Sequence, residues 1–146
     1  MFRKMKQNKL MPTQEKFDTL IGSTTEIYGR LVLADSVRID GKVTGNIETA
    51  KNKQVTVAIG RAGVVCGDIS AHRVMVAGRV EGNISATERV EFYKDSEIRG
   101  DITYGSIGVE HGARLLGLVI QSQADAQAAD ADANAEMLIK KVKESK

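Results

Sequence analysis

Val37-Arg38-Ile39-Asp40-Gly41-Lys42-Val43-Thr44-Gly45-Asn46-Ile47 and Val74-Met75-Val76-Ala77-Gly78-Arg79-Val80-Glu81-Gly82-Asn83-Ile84 share one frame, V-x-hydrophobic-x-G-x-V-x-G-N-I, without a gap. In both, apolar residues alternate with polar ones and are mostly β-branched, which suits a pleated strand with one buried face rather than a helix. Three looser copies follow the same plan: Val55, Val57, Val65, Gly67, Ile69; Val90, Phe92, Ile98, Gly100, Ile102; and Ile107, Val109, Leu115, Gly117, Val119. A partial copy, Ile27-Tyr28-Gly29-Arg30-Leu31, precedes them. The first residues of successive full copies lie 18, 19, 16 and 17 residues apart, so the chain reads as about six units of 16 to 19 residues.

A unit this short holds three strands of about five residues with glycine corners and has no room for a crossover helix. Successive units must therefore stack directly, as coils of an all-β, single-domain parallel β-helix. The interior is then filled by ladders of like residues. One reads Ile47, Ile69, Ile84, Ile102, Val119, and another reads Val43, Val65, Val80, Ile98, Leu115. The ladder Gly45, Gly67, Gly82, Gly100, Gly117 has inward parity but no side chain, which places it at a bend. Outward positions pass the same test: Asn46, Asp68, Asn83, Asp101 separates carboxylates by amides, and Glu81 lies beside Arg99. The last coil departs from this, with Leu116 and Leu118 where earlier coils are polar.

All 14 glycines fall between Gly22 and Gly117, and this divides the chain into three. Residues 1–16 carry Arg3, Lys4, Lys6, Lys9 and Lys16 against Glu15, with no apolar periodicity, and read as a basic disordered tail. Residues 17–123 are the β-helix. Residues 124–146 are an Ala/Asp-rich tail that ends in a short helical segment, with Leu138 and Val142 at i, i+4. The net charge of +2 gives no basis for nucleic-acid binding, and the lone Cys66 cannot form an intrachain disulfide. The start MFRKMKQNKL lacks the apolar run of a secretory signal, so the expected compartment is the cytoplasm.

No catalytic, cofactor or metal site is expected. Gly41-Lys42 is followed by Val43 and lacks a glycine five residues earlier, so it is not a phosphate-binding loop. Cys66, His72 and His111 are too scattered for a metal spacing. The enzymatic alternative is a left-handed β-helix acyltransferase of hexapeptide repeats, with His72 or His111 as general base. Its coils require multiples of six, and the spacings here do not keep them.

The repeated G-N/D-I coils, the poverty in aromatics and the MFRKM start resemble the bactofilins, polymer-forming bacterial cytoskeletal proteins. The resemblance implies a right-handed, roughly triangular β-helix with disordered tails. It also implies nucleotide-free, non-polar filaments on the inner face of the cytoplasmic membrane, acting as scaffolds in cell shape and envelope synthesis.

Self-assembly is also expected from the ends of the solenoid, because an open coil presents unpaired backbone and an apolar cross-section unless a cap covers it. No polar or helical cap is read at either end, the alternative being that Phe17, Leu20 and the Met137 to Val142 segment fold over the ends. Phe17, Leu20 and Ile21 at the first coil, and Leu115, Leu116, Leu118, Val119 and Ile120 at the last, are thus the expected polymer interface. At the N-terminus, Met1, Phe2 and Met5 interleave with Arg3, Lys4 and Lys6, a pattern suited to inserting apolar groups while the cations meet anionic inner-membrane lipid. The expected partners are the chain itself, that lipid, and envelope-synthesis or peptidoglycan-modifying proteins.

Overall fold

The computed structural model describes residues 16–122. The expected tails lie outside these residues except for Lys16, so Met1, Phe2, Arg3, Lys4, Met5 and Lys6 fall beyond them. Coil 1 holds β1 (Thr19–Ile21), β2 (Glu26–Tyr28) and β3 (Leu31–Leu33), and coil 2 holds β4 (Val37–Ile39), β5 (Lys42–Thr44) and β6 (Ile47–Thr49). Coil 3 begins with β7 (Thr56–Ile59) and β8 (Val64–Cys66), and β9 (Ile69–Val76) closes it and runs on into coil 4. After β10 (Arg79–Glu81), β11 (Ile84–Phe92) likewise links coil 4 to coil 5, which continues through β12 (Glu97–Arg99) and β13 (Ile102–Tyr104). Coil 6 consists of β14 (Ser106–Val109), β15 (Arg114–Leu116) and β16 (Val119–Gln121).

Strands pair in parallel with the strand one coil away, which gives three faces. The first face contains β1, β4, β7, the second halves of β9 and β11, and β14. The second is β2, β5, β8, β10, β12 and β15. The third contains β3, β6, the first halves of β9 and β11, β13 and β16. Most strands span three residues rather than five, because the corners consume the remainder. Six coils at about 4.8 Å each give a rod roughly 29 Å long.

Both inward ladders occur in the expected register: Ile47 pairs with Ile69, Ile69 with Ile84, Ile84 with Ile102 and Ile102 with Val119. Val43, Val65, Val80, Ile98 and Leu115 do the same on the second face. The third copy needs correction. Val37 pairs with Val57 and Ile39 with Ile59, so that unit starts two residues later than the frame beginning at Val55, and the spacing from Val37 to Val57 is 20 residues. The cause is the corner between β6 and β7, where Ala50 to Gln54 loop outward before Val55 returns to the core, fully buried.

Gly82 shows why a corner is glycine. Its φ is +150°, and a Cβ there would strike the carbonyl oxygen of Gly67 one coil below. Gly45, Gly67, Gly100 and Gly117 repeat the conformation at φ of +143° to +152°. The residue after each glycine also does more than separate charge. Asn46 Oδ1 accepts the Asp68 N–H at 2.9 Å, Asp68 Oδ1 that of Asn83 at 2.9 Å, Asn83 Oδ1 that of Asp101 at 2.9 Å, and Asp101 Oδ1 that of Leu118 at 3.1 Å. Amide and carboxylate serve equally because the corner needs only an acceptor oxygen.

Candidate functional site

The core is continuous through the middle of the rod and stops abruptly at both ends. Ile98 and Ile102 in coil 5 are fully buried, whereas Val119, next on the same ladder as Ile102, is 42% exposed. Ile27, Leu31 and Leu33 in coil 1, and Ile107, Val109, Ala113 and Leu115 in coil 6, are only partly covered. Each terminal strand has a neighbour on one side: β1 on β4, β2 on β5, β3 on β6, and at the other end β14 on β11, β15 on β12, β16 on β13. The described rod thus ends in three open strand edges around an apolar cross-section, an arrangement that templates further pairing.

The terminal coils are also apolar on their outer surface. Leu20 (68% exposed), Tyr28 (70%) and Val32 in coil 1, and Leu116, Leu118 (65%) and Ile120 in coil 6, point outward. In coils 2 to 5 the position of Tyr28 and Leu116 is taken by Thr44, Cys66, Glu81 and Arg99, and that of Val32 and Ile120 by Glu48, Ser70, Ser85 and Thr103.

The structure therefore brings the expected residues to the two ends in different roles. Phe17 is half-buried ahead of β1, and Ile21 faces inward and is covered at 6% exposure. Leu20, Leu116, Leu118 and Ile120 project outward, while Leu115 and Val119 line the open cross-section. Tyr28 and Val32 belong to the same surface and were missed by the sequence reading. Tyr28 lies within the partial first copy, between the inward Ile27 and the corner Gly29, whereas Val32 lies just past its last residue, Leu31.

Other surfaces are polar. His72 Nδ1 lies 3.1 Å from Thr87 Oγ1 and its Nε2 3.3 Å from Glu88, while His111 sits exposed at a different corner in coil 6, so the two histidines share no site. An open groove of about 490 Å³ is lined by Ser70, Ser85 and His72, with Lys53 reaching it from the Ala50–Gln54 loop. On the first face, Glu91 is 9% exposed and takes hydrogen bonds from Arg89 Nε at 2.8 Å and Tyr93 Oη at 2.7 Å. Burial pushes its carboxyl upward, but these bonds and the charges of Arg89 and Arg73 outweigh that and hold it below the usual carboxylate range. The Tyr93 phenol is pushed up by burial and by Glu91.

Comparison with known proteins bears on what such ends do. Residues 19–119 match the family model for bactofilin, described as polymer-forming cytoskeletal. The chain is 36% identical over 102 residues to bactofilin BacO of Myxococcus xanthus, covering 70% of this chain and 78% of that one. It is 30% identical to bactofilin BacP of the same organism, with 70% of this chain matched to 41% of that one. Among solved structures it resembles the Thermus thermophilus bactofilin in double helical filaments, at a TM-score of 0.65 and 28% identity, covering 71% of this chain and 99% of that one. The family match runs from the first residue of β1 to the first residue of β16 and so spans all six coils, and on these grounds the chain belongs to the bactofilins, the polymer-forming cytoskeletal family.

Proposed function

We propose that this protein is a cytoplasmic scaffold whose copies stack end to end, without nucleotide, into filaments on the inner face of the cytoplasmic membrane, where they organise cell shape or envelope synthesis. The observation that carries the reading is the loss of burial along single ladders at the ends, from none of Ile102 exposed to 42% of Val119. Stacking a second copy returns Val119 and Leu115 to the environment of Ile102 and Ile98 and pairs the open strand edges. Fully burying such a side chain is worth about 1.5–3 kcal/mol, and each end offers several that are partly covered. No nucleotide is needed because the driving surface is permanent. The Thermus bactofilin forms double helical filaments, which supports reading the stacked copies of this chain as filament strands.

The basic tail over residues 1–16 is the proposed membrane anchor, with Met1, Phe2 and Met5 inserting and Arg3, Lys4 and Lys6 meeting anionic lipid. A few cations at about 1 kcal/mol each hold one copy weakly, and a filament multiplies the tails by avidity. Residues 124–146 are proposed to be dispensable for stacking. Envelope-synthesis or peptidoglycan-modifying proteins are the proposed clients of the filament's sides. In liposome sedimentation, Phe2→Asp and the triple Ser replacement of Arg3, Lys4 and Lys6 should each reduce binding to anionic vesicles while polymerisation persists. Undiminished binding by both variants at physiological salt would move the anchor elsewhere.

A further inference from the structure

Resting on the reading that the basic N-terminal tail anchors the filament, we infer that the loop over residues 50–54 is a second lipid contact, with Lys51 and Lys53 against anionic headgroups. The corner between the third and first faces is then the side of the rod turned to the bilayer. The tail joins the rod at this corner: the Asp18 and Thr19 N–H groups both donate to the Ser36 carbonyl, which places Lys16 and Phe17 at the entry to the first face. The loop leaves the same corner two coils on, about 10 Å along the rod. There residues 50–55 fill the gap between β6 and β7 that residues 34–36 fill between β3 and β4. The Lys53 N–H donates to the Ala50 carbonyl at 3.1 Å and Asn52 sits at φ +64°, a formed turn that lifts residues 51–54 clear of the core and leaves each exposed. Neither lysine has a carboxylate partner among the described residues, so both charges face solvent uncompensated.

Cations outnumber acids along this edge, where Arg73 and Arg89 follow Thr56 at the entry to the first face. Lys16, Lys51, Lys53, Arg73 and Arg89 stand against Asp18, Asp35 and Glu88. At the other two corners the acids lead, with Asp68 and Asp101 against Arg30, and Asp40, Asp95 and Glu110 against Arg61 and Lys94. Beside the loop a groove is lined by Asn52, Lys53, His72, Thr87 and Ser106, side chains able to donate to a phosphate oxygen, with Glu88 its one acid. Lipid suits this edge better than a protein partner. The loop offers two amines on long flexible stems and no large apolar anchor of the kind around which protein contacts gather, and point charges meeting mobile headgroups need no fixed geometry. Tail root and loop share a corner within each copy, so the tail brings the loop to the bilayer whichever way neighbouring copies point along the filament.

The test is co-sedimentation of the full chain with vesicles containing phosphatidylglycerol at physiological salt, read as the lipid concentration that sediments half the protein. Lys51→Ser with Lys53→Ser should raise that concentration by about tenfold or more while the melting curve and the filaments stay those of the parent. Arg61→Ser with Lys94→Ser removes the same charge from another corner and should change it by less than about twofold. The inference is overturned by unchanged binding in the Lys51 and Lys53 pair, by equal losses in the two pairs, which would mean that only net charge is read, or by loss of filaments in the first pair, which would assign the loop to assembly. Lysine acetylation of parent filaments supplies a readout without substitution: vesicles should shield Lys51 and Lys53 but not Lys94, and equal reactivity of the three would overturn the inference. Undiminished binding by Phe2→Asp and by the triple Ser variant of the tail faults the tail anchor alone, and a parent that sediments with no anionic vesicle refutes both.

Discussion

Replacing Gly82 with alanine tests the account where coil 4 rests on coil 3. The residue sits at φ +150°, and holding an L-residue in so sparsely populated a region costs about 1–3 kcal/mol. The added Cβ would also strike the Gly67 carbonyl, whose carbon would lie only 2.5 Å away. That neighbour is backbone and is itself fixed, with Gly67 N–H donating to the Glu81 carbonyl at 2.9 Å and Ile69 N–H donating to that of Asn83 at 2.8 Å. Relieving the collision stretches both bonds, at about 1 kcal/mol each. Together these give a loss of about 3–5 kcal/mol, a large part of the roughly 5–15 kcal/mol that holds a domain of this size. Gly22→Ala is the control, because a Cβ there meets nothing within 4 Å. Thermal unfolding followed by circular dichroism, at one protein concentration so that assembly contributes equally, should lower the midpoint of Gly82→Ala by more than about 10 °C and leave Gly22→Ala within a few degrees of the parent. Equal midpoints for the two variants would refute the argument that glycine is required by the contact between coils.

At the corner beside it, Asn83→Leu removes the acceptor for the Asp101 N–H and should cost about 1 kcal/mol regardless of salt. Asn83→Asp keeps the acceptor but sets three carboxylates in successive coils about 4.8 Å apart, so its cost should shrink as salt rises; salt-independent melting would contradict this. Because the folded Glu91 carboxyl is held below its ordinary 4.5, the stability it contributes is present above that value and lost as pH falls through the folded pKa. Acid unfolding of Glu91→Gln should therefore be shallower below pH 4.5 than that of the parent, and identical slopes would remove Glu91 from the explanation.

The coil architecture was legible because inward positions obey a strict rule. Val43, Val65, Val80 and Ile98 repeat in kind, and each is fully buried in one ladder. The Val55 frame failed because periodicity says nothing about how many residues a corner may loop outward, and Ala50 to Gln54 lie outside the alternation. The outward Asn/Asp row was legible as polar but not as an acceptor ladder, since a hydrogen bond to the next coil's N–H depends on how the glycine corner aims the side chain. Open ends were expected from the apolar residues at the first and last coils, and among the described residues both terminal coils have open strand edges. The alternation also placed Val119 on the inward ladder and Leu118 on the outward row, and what the structure adds is that Val119, inward but 42% exposed, lies in an open cross-section.

End-to-end stacking is tested most directly by negative-stain microscopy of the purified full chain in nucleotide-free buffer, beside Leu115→Arg and Val119→Arg. Both substitutions place a cation in the open cross-section of coil 6, where a stacked neighbour would bury it unpaired. The account predicts filaments for the parent, and dispersed particles with a parent-like β-sheet dichroism spectrum for the two variants. Dispersed parent particles under these conditions, or filaments from both arginine variants, would contradict it.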